Sequence, residues 1–179
     1  GKSGAKFDPE KAKWFNQQYI KTTSNEELAK LVQPFIPESY KKLDQNYLTK
    51  VCELVKERFS LLNEFWDAAY YFFEMPKEYD AKVIRKKWKT EQTPIFDELK
   101  NRIAAIEIFT SENLEAAVKQ FIEESGLGFG NVLQIFRVMM AGTLKGPSIF
   151  DMAALLGKEE VVARMEQGAT IFETMNANA

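Results

Sequence analysis

The chain has 179 residues, of which 45% are hydrophobic and 28% are charged, and its formal net charge is -2. This composition is typical of a globular protein with a buried core, and the slight negative charge argues against a partner held mainly by bulk attraction to phosphate. The chain contains no histidine. A histidine-based active site and the usual histidine-containing zinc site are therefore excluded, although carboxylates could still act in catalysis.

The compartment is predicted from two features. The single cysteine, Cys52, cannot form an internal disulfide, which favours a reducing, cytoplasmic setting and a structural, buried thiol. Residues 1–8 are polar, so we expect no signal peptide. The least charged stretch, residues 126–144, contains Arg137 and four glycines, and we expect it not to cross a membrane.

The first part of the chain begins with clear helix-start signals. Asp8 followed by Pro9 is typical of an N-cap residue before the first helical position and predicts a helix there. Ser24 and Glu27 have the spacing of a capping box and predict a second helix, which Pro34 should end.

Two further helices are predicted before a boundary near residue 80. The first runs from about residue 44 to residue 59, because four apolar residues follow helical spacing there. They are Leu48, Cys52, Val55 and Phe59. The second covers residues 61–73 and is dense in aromatic residues, which we expect to form core rather than a surface for stacking bases.

The second half predicts five short helices. They cover about residues 94–105, residues 111–125 after a cap at Thr110 or Ser111, a segment following Gly130, residues 147–157 and residues 158–166. We expect residues 174–179 to be frayed. No alternating strand pattern is visible, so the predicted fold is all-α, with two consecutive small helical bundles over residues 1–80 and 81–179.

Arg137 is the most unusual charge in the chain, because its helical neighbours are mostly apolar. A buried arginine needs a partner, so it could be a structural residue paired with a carboxylate such as Asp151, or one that reaches water. Alternatively, its planar guanidinium points into a pocket and binds a base edge or a phosphate.

Three other features also allow a structural and a functional interpretation. Arg58, near the end of its predicted helix, either complements the helix dipole or projects a guanidinium to a ligand. The basic run over residues 82–89 is either a solvated helix face or a phosphate-binding patch beside Trp88. The turn over residues 145–148 either only connects two helices or cradles an anion.

Two motifs together resemble the C-terminal part of bacterial-type glutamyl-tRNA synthetases. Residues 7–20, FDPEKAKWFNQQYI, are similar to the family stretch FDxxKxxWxNxxYI, and residues 136–159, FRVMMAGTLKGPSIFDMAALLGKE, are similar to LRxALTGxxxGPxLFxxxxLLGKE. Met139, Met140 and Ala141 replace the family's commoner alanine, leucine and threonine. The HIGH and KMSKS motifs of these class I enzymes are absent, so the resemblance implies a fragment without catalytic residues.

The resemblance implies an anticodon-binding role. Residues 1–80 would form a connector bundle and residues 81–179 the bundle that completes the anticodon pocket. In the family, an arginine at the place of Arg58 lies against the third anticodon letter, and one at the place of Arg137 lies near the first. The implied RNA-binding residues are Arg58, Arg137, Lys145, Gly146, Pro147 and Ile149, and we expect the two arginines to converge on one groove.

Base chemistry supports the implied role of Arg58. Glutamate anticodons end in C and glutamine anticodons end in G. An unpaired cytosine offers acceptors at N3 and O2 to a guanidinium fork, whereas guanine presents an N1–H donor, and RNA-reading proteins usually take such unstacked loop bases. Arg58 is therefore predicted to make the parent enzyme accept glutamate tRNA and reject glutamine tRNA.

The implied partners are the anticodon loop of glutamate tRNA and the enzyme's own N-terminal catalytic domain, with no membrane contact and a monomeric state. No cofactor or metal site is expected in this fragment, while the parent enzyme would use ATP and magnesium. One alternative is a helical protein–protein adaptor without an RNA partner. Another is a free-standing enzyme that uses carboxylate pairs such as Glu123–Glu124, but adjacent helical side chains diverge by about 100° and make poor catalytic pairs.

Overall fold

The computed structural model describes residues 8–177, and within this range it contains helices and no strand. This confirms the predicted all-α class. The α-helices are α1 Pro9–Thr22, α2 Asn25–Val32, α3 Gln45–Val55, α4 Phe65–Ala69, α5 Ala81–Lys87, α6 Gln92–Ala104, α7 Ser111–Ser125, α8 Phe129–Ala141, α9 Ile149–Leu156 and α10 Lys158–Ala177. Phe7, the first residue of the first motif, and the last two residues of the predicted frayed tail lie outside the described residues.

The described chain divides into two compact units, the first ending at Phe73 and the second beginning at Glu74. The division precedes the boundary that the sequence suggests near residue 80. Residues 74–80 belong with the second unit because their backbone is bound there: the N–H of Asp80 donates to the carbonyl of Gly142 at 2.9 Å, and the carbonyl of Glu74 accepts from Arg164 at 3.1 Å.

The helix starts of the first unit agree with the predicted caps. The Asp8 carboxylate accepts hydrogen bonds from the backbone of Glu10 and Lys11, and the Ser24 hydroxyl accepts one from the N–H of Glu27. These side chains satisfy donors that the first turn of a helix leaves without an intrahelical partner.

Helix α3 is shorter than predicted, because it ends at Val55 and the chain then turns. The apolar spacing that extended the prediction to Phe59 reports burial, and Phe59 is indeed buried, but from the turn. Its ring contacts that of Phe65 edge to face, with centroids 5.7 Å apart. The helical spacing of apolar residues thus extends past the end of α3 because Phe59 is buried by tertiary packing and not by the helix.

The single helix predicted over residues 61–73 is also wrong, since this segment comprises a 3-10 turn at Leu62–Glu64, the short helix α4 and a second 3-10 turn at Tyr70–Phe72. The carboxylate of Glu64 accepts from the N–H of Leu61 at 2.8 Å and fixes the first turn. The expectation of an aromatic core is confirmed for its most buried members, which are Phe65, Tyr71 and Phe72.

In the second unit, α10 packs against α6 and α8, and it is much longer than predicted. The predicted fraying after residue 174 is wrong for the described residues, since the helix continues to Ala177. Tertiary contacts hold this last part in place: Phe172 is buried, and the carboxylate of Glu173 accepts hydrogen bonds from the Trp88 indole and the Thr93 hydroxyl.

Arg164 of α10 is almost completely buried, with 1% of its surface exposed. Its Nε donates to Glu160 at 2.9 Å, and its Nη1 donates to the backbone carbonyl of Met140 at 2.6 Å. Together with the bond from Nη2 to the Glu74 carbonyl, these contacts join α10, the end of α8 and the segment that opens the unit. No pattern in the sequence marks this arginine, because its partners are mostly backbone carbonyls, which leave no signature in a sequence.

Candidate nucleic-acid interface

Helix α8 carries Arg137 and is the most buried helix of the second unit. Its inward residues share helical spacing and apolar character. They are Val132, Ile135, Phe136, Val138, Met139, Met140 and Ala141. Two of these, Met139 and Met140, stand where the resembling family has other residues, and both are fully buried. The departure from the family pattern therefore lies in the core of this unit.

The end of α8 is set by Gly142. Its φ of 77° is in the left-handed region, and its N–H donates to the Val138 carbonyl at 2.8 Å, closing the helix. A Cβ at this position would lie 2.3 Å from the carbonyl oxygen of Glu78. Glycine is required here for its conformation and for the close approach of another backbone segment.

The turn that follows, residues 143–148, is bound to α8 through Arg137. The half-buried guanidinium donates from Nη1 to the carbonyl of Pro147 at 2.8 Å. The hydroxyl of Thr143 accepts from the N–H of Lys145 at 3.2 Å. Arg137 therefore has a structural contact in the turn for which the sequence leaves two roles open, connecting two helices or cradling an anion.

The predicted site residues of this turn differ in exposure. Lys145 is exposed and Gly146 is half-buried, whereas Pro147 and Ile149 are buried. Of these, Lys145 presents its side chain most openly to a ligand. Ile149 is the first residue of α9, so as the structure stands it supports the turn from inside the unit.

Asp151, the carboxylate considered as a partner for Arg137, accepts a hydrogen bond from the Ser111 hydroxyl at 2.8 Å. This bond joins α9 to the first residue of α7. The carboxylate thus takes part in helix packing, and the guanidinium of Arg137 has a backbone acceptor at Pro147.

Arg58 lies in the first unit, in the turn after α3 and not within the helix as predicted. Its N–H donates to the Val55 carbonyl at 2.8 Å, and its neighbours Phe59 and Ser60 are both buried. The Ser60 hydroxyl accepts from the amide of Gln17 at 2.8 Å. The backbone at Arg58 is therefore anchored on both sides.

The side chain of Arg58 is exposed, and no ion pair to it occurs among residues 8–177. The adjacent Glu57 instead pairs with Lys21 at 3.6 Å. An exposed guanidinium on an anchored backbone has its donors available for a ligand while its position is constrained. This arrangement suits recognition of a planar group with paired acceptors.

A pocket of about 400 Å³ lies in the first unit. One of its lining residues, Ser60, is two residues after Arg58 in the chain. The residues that line it come from three distant parts of the chain and are mostly apolar or amide-bearing. They are Asn16, Tyr19, Ile20, Phe35, Ser60, Leu61, Leu62 and Asn63. This pocket leaves no signal in the sequence, because no local pattern joins residues so far apart in the chain.

The structure therefore brings Arg137 into contact with the turn that contains Lys145, Gly146 and Pro147, as parts of one unit. The groove that Arg58 and Arg137 are expected to share stays a prediction. Among residues 8–177, no helix is both long and apolar enough to span a membrane, and no group of three or more histidine, cysteine, aspartate or glutamate side chains is arranged to hold a metal ion.

Comparison with known proteins shows which family the chain resembles. A family model described as "Anticodon binding domain" matches residues 27–169. A glutamate–tRNA ligase of Flavobacterium johnsoniae is 41% identical over 166 residues, which are 93% of this chain and 33% of that protein. The glutamate–tRNA ligase of Bacteroides thetaiotaomicron is 40% identical over 172 residues, with coverage of 96% and 34%.

Two solved structures that resemble this chain are also of glutamate–tRNA ligases. The crystal structure of a glutamate tRNA ligase from Elizabethkingia meningosepticum in complex with its amino acid superposes with a TM-score of 0.86 at 32% identity, covering 94% of this chain and 34% of that chain. A glutamate-tRNA synthetase from Elizabethkingia anophelis gives a TM-score of 0.82 at 30% identity, with coverage of 94% and 33%.

The chain spans about one third of the length of the curated relatives it matches. The matches favour anticodon recognition over the protein–protein adaptor that the sequence left open. On this basis the chain belongs to the anticodon-binding domain family, in the form that occurs within glutamate–tRNA ligases.

Proposed function

We propose that this chain reads the anticodon loop of glutamate tRNA as part of a glutamate–tRNA ligase. The observation that carries the proposal is the exposed Arg58 guanidinium on an anchored turn, in a chain whose residues 27–169 match the anticodon-binding family. Anticodon bases are unpaired loop bases, which proteins read through their Watson–Crick edges.

Arg58 is assigned the third anticodon letter. Its guanidinium fork would donate to N3 and O2 of cytosine, while the N1–H of a guanine in the same place would oppose it. The buried neighbours Phe59 and Ser60 would keep the fork from following the wrong base. A good bidentate contact is worth roughly 1–3 kcal/mol, or about 5- to 150-fold in discrimination.

Arg137 is assigned a place beside the first anticodon letter, together with the turn that it binds. Its bond to the Pro147 carbonyl supports a role in holding that turn open to RNA. Lys145 would contact a phosphate, since it is the exposed cation of the turn. Gly146, Pro147 and Ile149 would shape the wall behind the bases.

The remaining two thirds of the parent protein would carry the catalytic site. We expect a catalytic domain there that uses ATP and magnesium to attach glutamate to the tRNA, in a monomeric cytoplasmic enzyme. Residues 1–80 would serve as the connector and residues 81–179 as the bundle that completes the anticodon pocket. Exposed rings on α1 support contact with such a domain, because an exposed apolar group often marks an interface. They are Trp14, Phe15 and Tyr19.

The test uses the full-length ligase and compares charging of glutamate tRNA and glutamine tRNA. Arg58→Gln should lower the ratio of the two kcat/KM values by about 5- to 150-fold, because it removes a bidentate base contact. Lys21→Gln is the matched control, since it removes a cation from the same unit that pairs with Glu57.

An Arg58→Gln ratio equal to that of the Lys21→Gln control would remove Arg58 from base recognition. Equal binding of glutamate tRNA and a copy with a changed anticodon by the unaltered enzyme would contradict anticodon reading as a whole. A stable protein complex without RNA affinity would favour the adaptor alternative.

A further inference from the structure

Helix α5 and the three residues after it carry five cations and no carboxylate over residues 81–90. Four of the cations are exposed. Three of them lie on α5 at the spacing i, i+3 and i+4, and the fourth follows the end of the helix and reaches back to it through a hydrogen bond to the Arg85 carbonyl. The four are Lys82, Arg85, Lys86 and Lys89, here called the basic stripe. At a rise of 1.5 Å per residue, the part of the stripe on α5 is about 6 Å long.

The opposite side of α5 fixes the direction of the stripe. Val83, Ile84 and Trp88 are buried in the second unit. The Trp88 ring lies 5.4 Å from that of Phe172, and its indole nitrogen donates to Glu173 at 3.1 Å. Trp88 is therefore a core residue and not a stacking platform for a base. Because the apolar side is buried, α5 also has no free apolar face to insert into a lipid surface.

Charge pairing separates the basic stripe from other cations of the same unit. Five cations there form ion pairs with carboxylates within 4 Å, and these are Lys77, Lys100, Arg102, Lys119 and Arg164. The stripe residues form none among residues 8–177. Arg85 and Lys89 donate instead to the backbone carbonyls of Ala81 and Arg85, which leaves their charge uncompensated.

Folding alone does not account for this arrangement. Like charges three and four residues apart destabilise a helix. Cations near the end of α5 are favoured by the helix dipole, but Lys82 is the second residue of the helix, where the dipole disfavours a cation. A ligand with closely spaced negative charges would compensate the whole stripe.

The surface beside the stripe is concave. A pocket of about 510 Å³ is lined by Arg85, Trp88, Lys89, Thr90, Glu91 and Asn176. It combines two cations with the exposed Thr90 and a single carboxylate, Glu91. Such a polar recess is suited to a phosphodiester and its ribose, which present acceptors to cations and hydroxyl groups.

We propose that the basic stripe binds the sugar–phosphate backbone of RNA, independently of sequence and on an element other than those that carry Arg58 and Arg137. The inference rests on the proposed function, since the family match makes RNA the polyanion at hand. The net charge of -2 means that this attraction is local and not a property of the whole chain. Phosphate contacts of this kind add affinity and register, while base contacts supply specificity.

The experiment measures binding of glutamate tRNA to the full-length ligase by fluorescence anisotropy over a series of salt concentrations. The test variant is Lys82→Gln/Lys86→Gln, and the control is Lys77→Gln/Lys119→Gln, which removes two exposed cations from the same unit. Each lost phosphate contact lowers the slope of log affinity against log salt by about 0.7–0.9. We expect the test variant to lose about 1.5 from the slope and the control to keep it.

The loss should be the same for glutamate tRNA and for a copy with a changed anticodon, because phosphate contacts are blind to base identity. Lys82→Arg/Lys86→Arg should restore the slope. Circular dichroism melting of each variant separates an unfolded protein from a binding defect, and a variant that melts early is replaced by the single substitution Lys86→Gln.

A test variant with the slope and affinity of the control overturns the proposal. Unchanged tRNA binding together with weakened binding of poly-L-glutamate overturns it in favour of an acidic polypeptide. Failure of the proposed function is visible separately: the unaltered enzyme would then not distinguish the two anticodons, whatever the slope. If the test variant loses slope while the unaltered enzyme does not distinguish the two anticodons, RNA binding by the basic stripe is supported and anticodon reading is not.

Discussion

The Nη1 atom of Arg137 donates a hydrogen bond of 2.8 Å to the carbonyl oxygen of Pro147. One half-buried guanidinium therefore joins the middle of α8 to the turn that precedes α9. Arg58 differs, because its side chain is exposed and makes no ion pair among residues 8–177. The two arginines with implied roles in anticodon recognition thus have unequal structural roles.

This difference predicts unequal effects on stability. Arg137→Met should lower the free energy of unfolding by about 1.5 kcal/mol, because the Pro147 carbonyl loses a charged donor. Arg58→Gln should change it by less than about 0.5 kcal/mol, as expected for an exposed side chain. Urea unfolding of both variants measures the two values. Equal values would contradict the structural role assigned to Arg137.

Gly142 and Gly126 provide a matched pair at helix ends. Both have positive φ, 77° and 70°, but an added Cβ meets the Glu78 carbonyl at 2.3 Å only at Gly142, while nothing lies within 4 Å at Gly126. Gly126→Ala should cost about 1 kcal/mol from backbone strain alone. Gly142→Ala should cost roughly 3 kcal/mol or more, because a backbone segment must also move.

Thermal and urea unfolding of the two glycine variants provide the measurement. The contrast between them isolates the close approach of the Glu78 backbone from the conformational preference that both positions share. Similar losses in both variants would show that residues 74–80 move away from Gly142 at little cost.

The buried Arg164 is predicted to be the most sensitive charge in the second unit. Arg164→Met removes the donor to the Met140 and Glu74 carbonyls and should lower the free energy of unfolding by roughly 2–4 kcal/mol. Arg102→Met is the comparison, since its ion pair with Glu124 is far more accessible to water, at 34% and 45% of the two side chains, and should matter less. A thermal melt in which Arg164→Met unfolds no earlier than Arg102→Met would be the contrary result.

The buried thiol of Cys52 predicts that the free energy of unfolding depends on pH. Burial raises the pKa of its thiol to about 12, against an ordinary value of 9.0, and the positive charge of Lys56 opposes this in part. The folded state keeps the proton while the unfolded chain loses it, so this contribution to stability is complete below pH 9 and falls as pH rises. Between pH 8 and pH 10 the loss should be about 1 kcal/mol.

Urea unfolding at the two pH values measures this, with Cys52→Ala as the control that lacks the thiol. The variant should lose less stability over the same interval, because lysine and tyrosine titration is common to both proteins. Identical losses in the two proteins would show that the thiol titrates alike in the folded and unfolded states, and would contradict the raised pKa. The native thiol should also react slowly with a disulfide reagent at pH 8, since little thiolate is present.

The sequence by itself determined the helical class, the caps at Asp8 and Ser24, and the resemblance from which the RNA-binding residues are predicted. These depend on local spacing and residue type, which act within a few positions along the chain. The predicted contact of Arg58 with a cytosine edge also follows from residue type alone.

Tertiary structure decided the rest. Helix α3 ends at Val55 although Phe59 continues its apolar spacing, and α10 extends to Ala177 because Phe172 and Glu173 meet Trp88 across the unit. The hydrogen-bond acceptors of Arg137 and Arg164 include backbone carbonyls distant in the chain. Every residue has such a carbonyl, so only folding selects which ones receive a guanidinium.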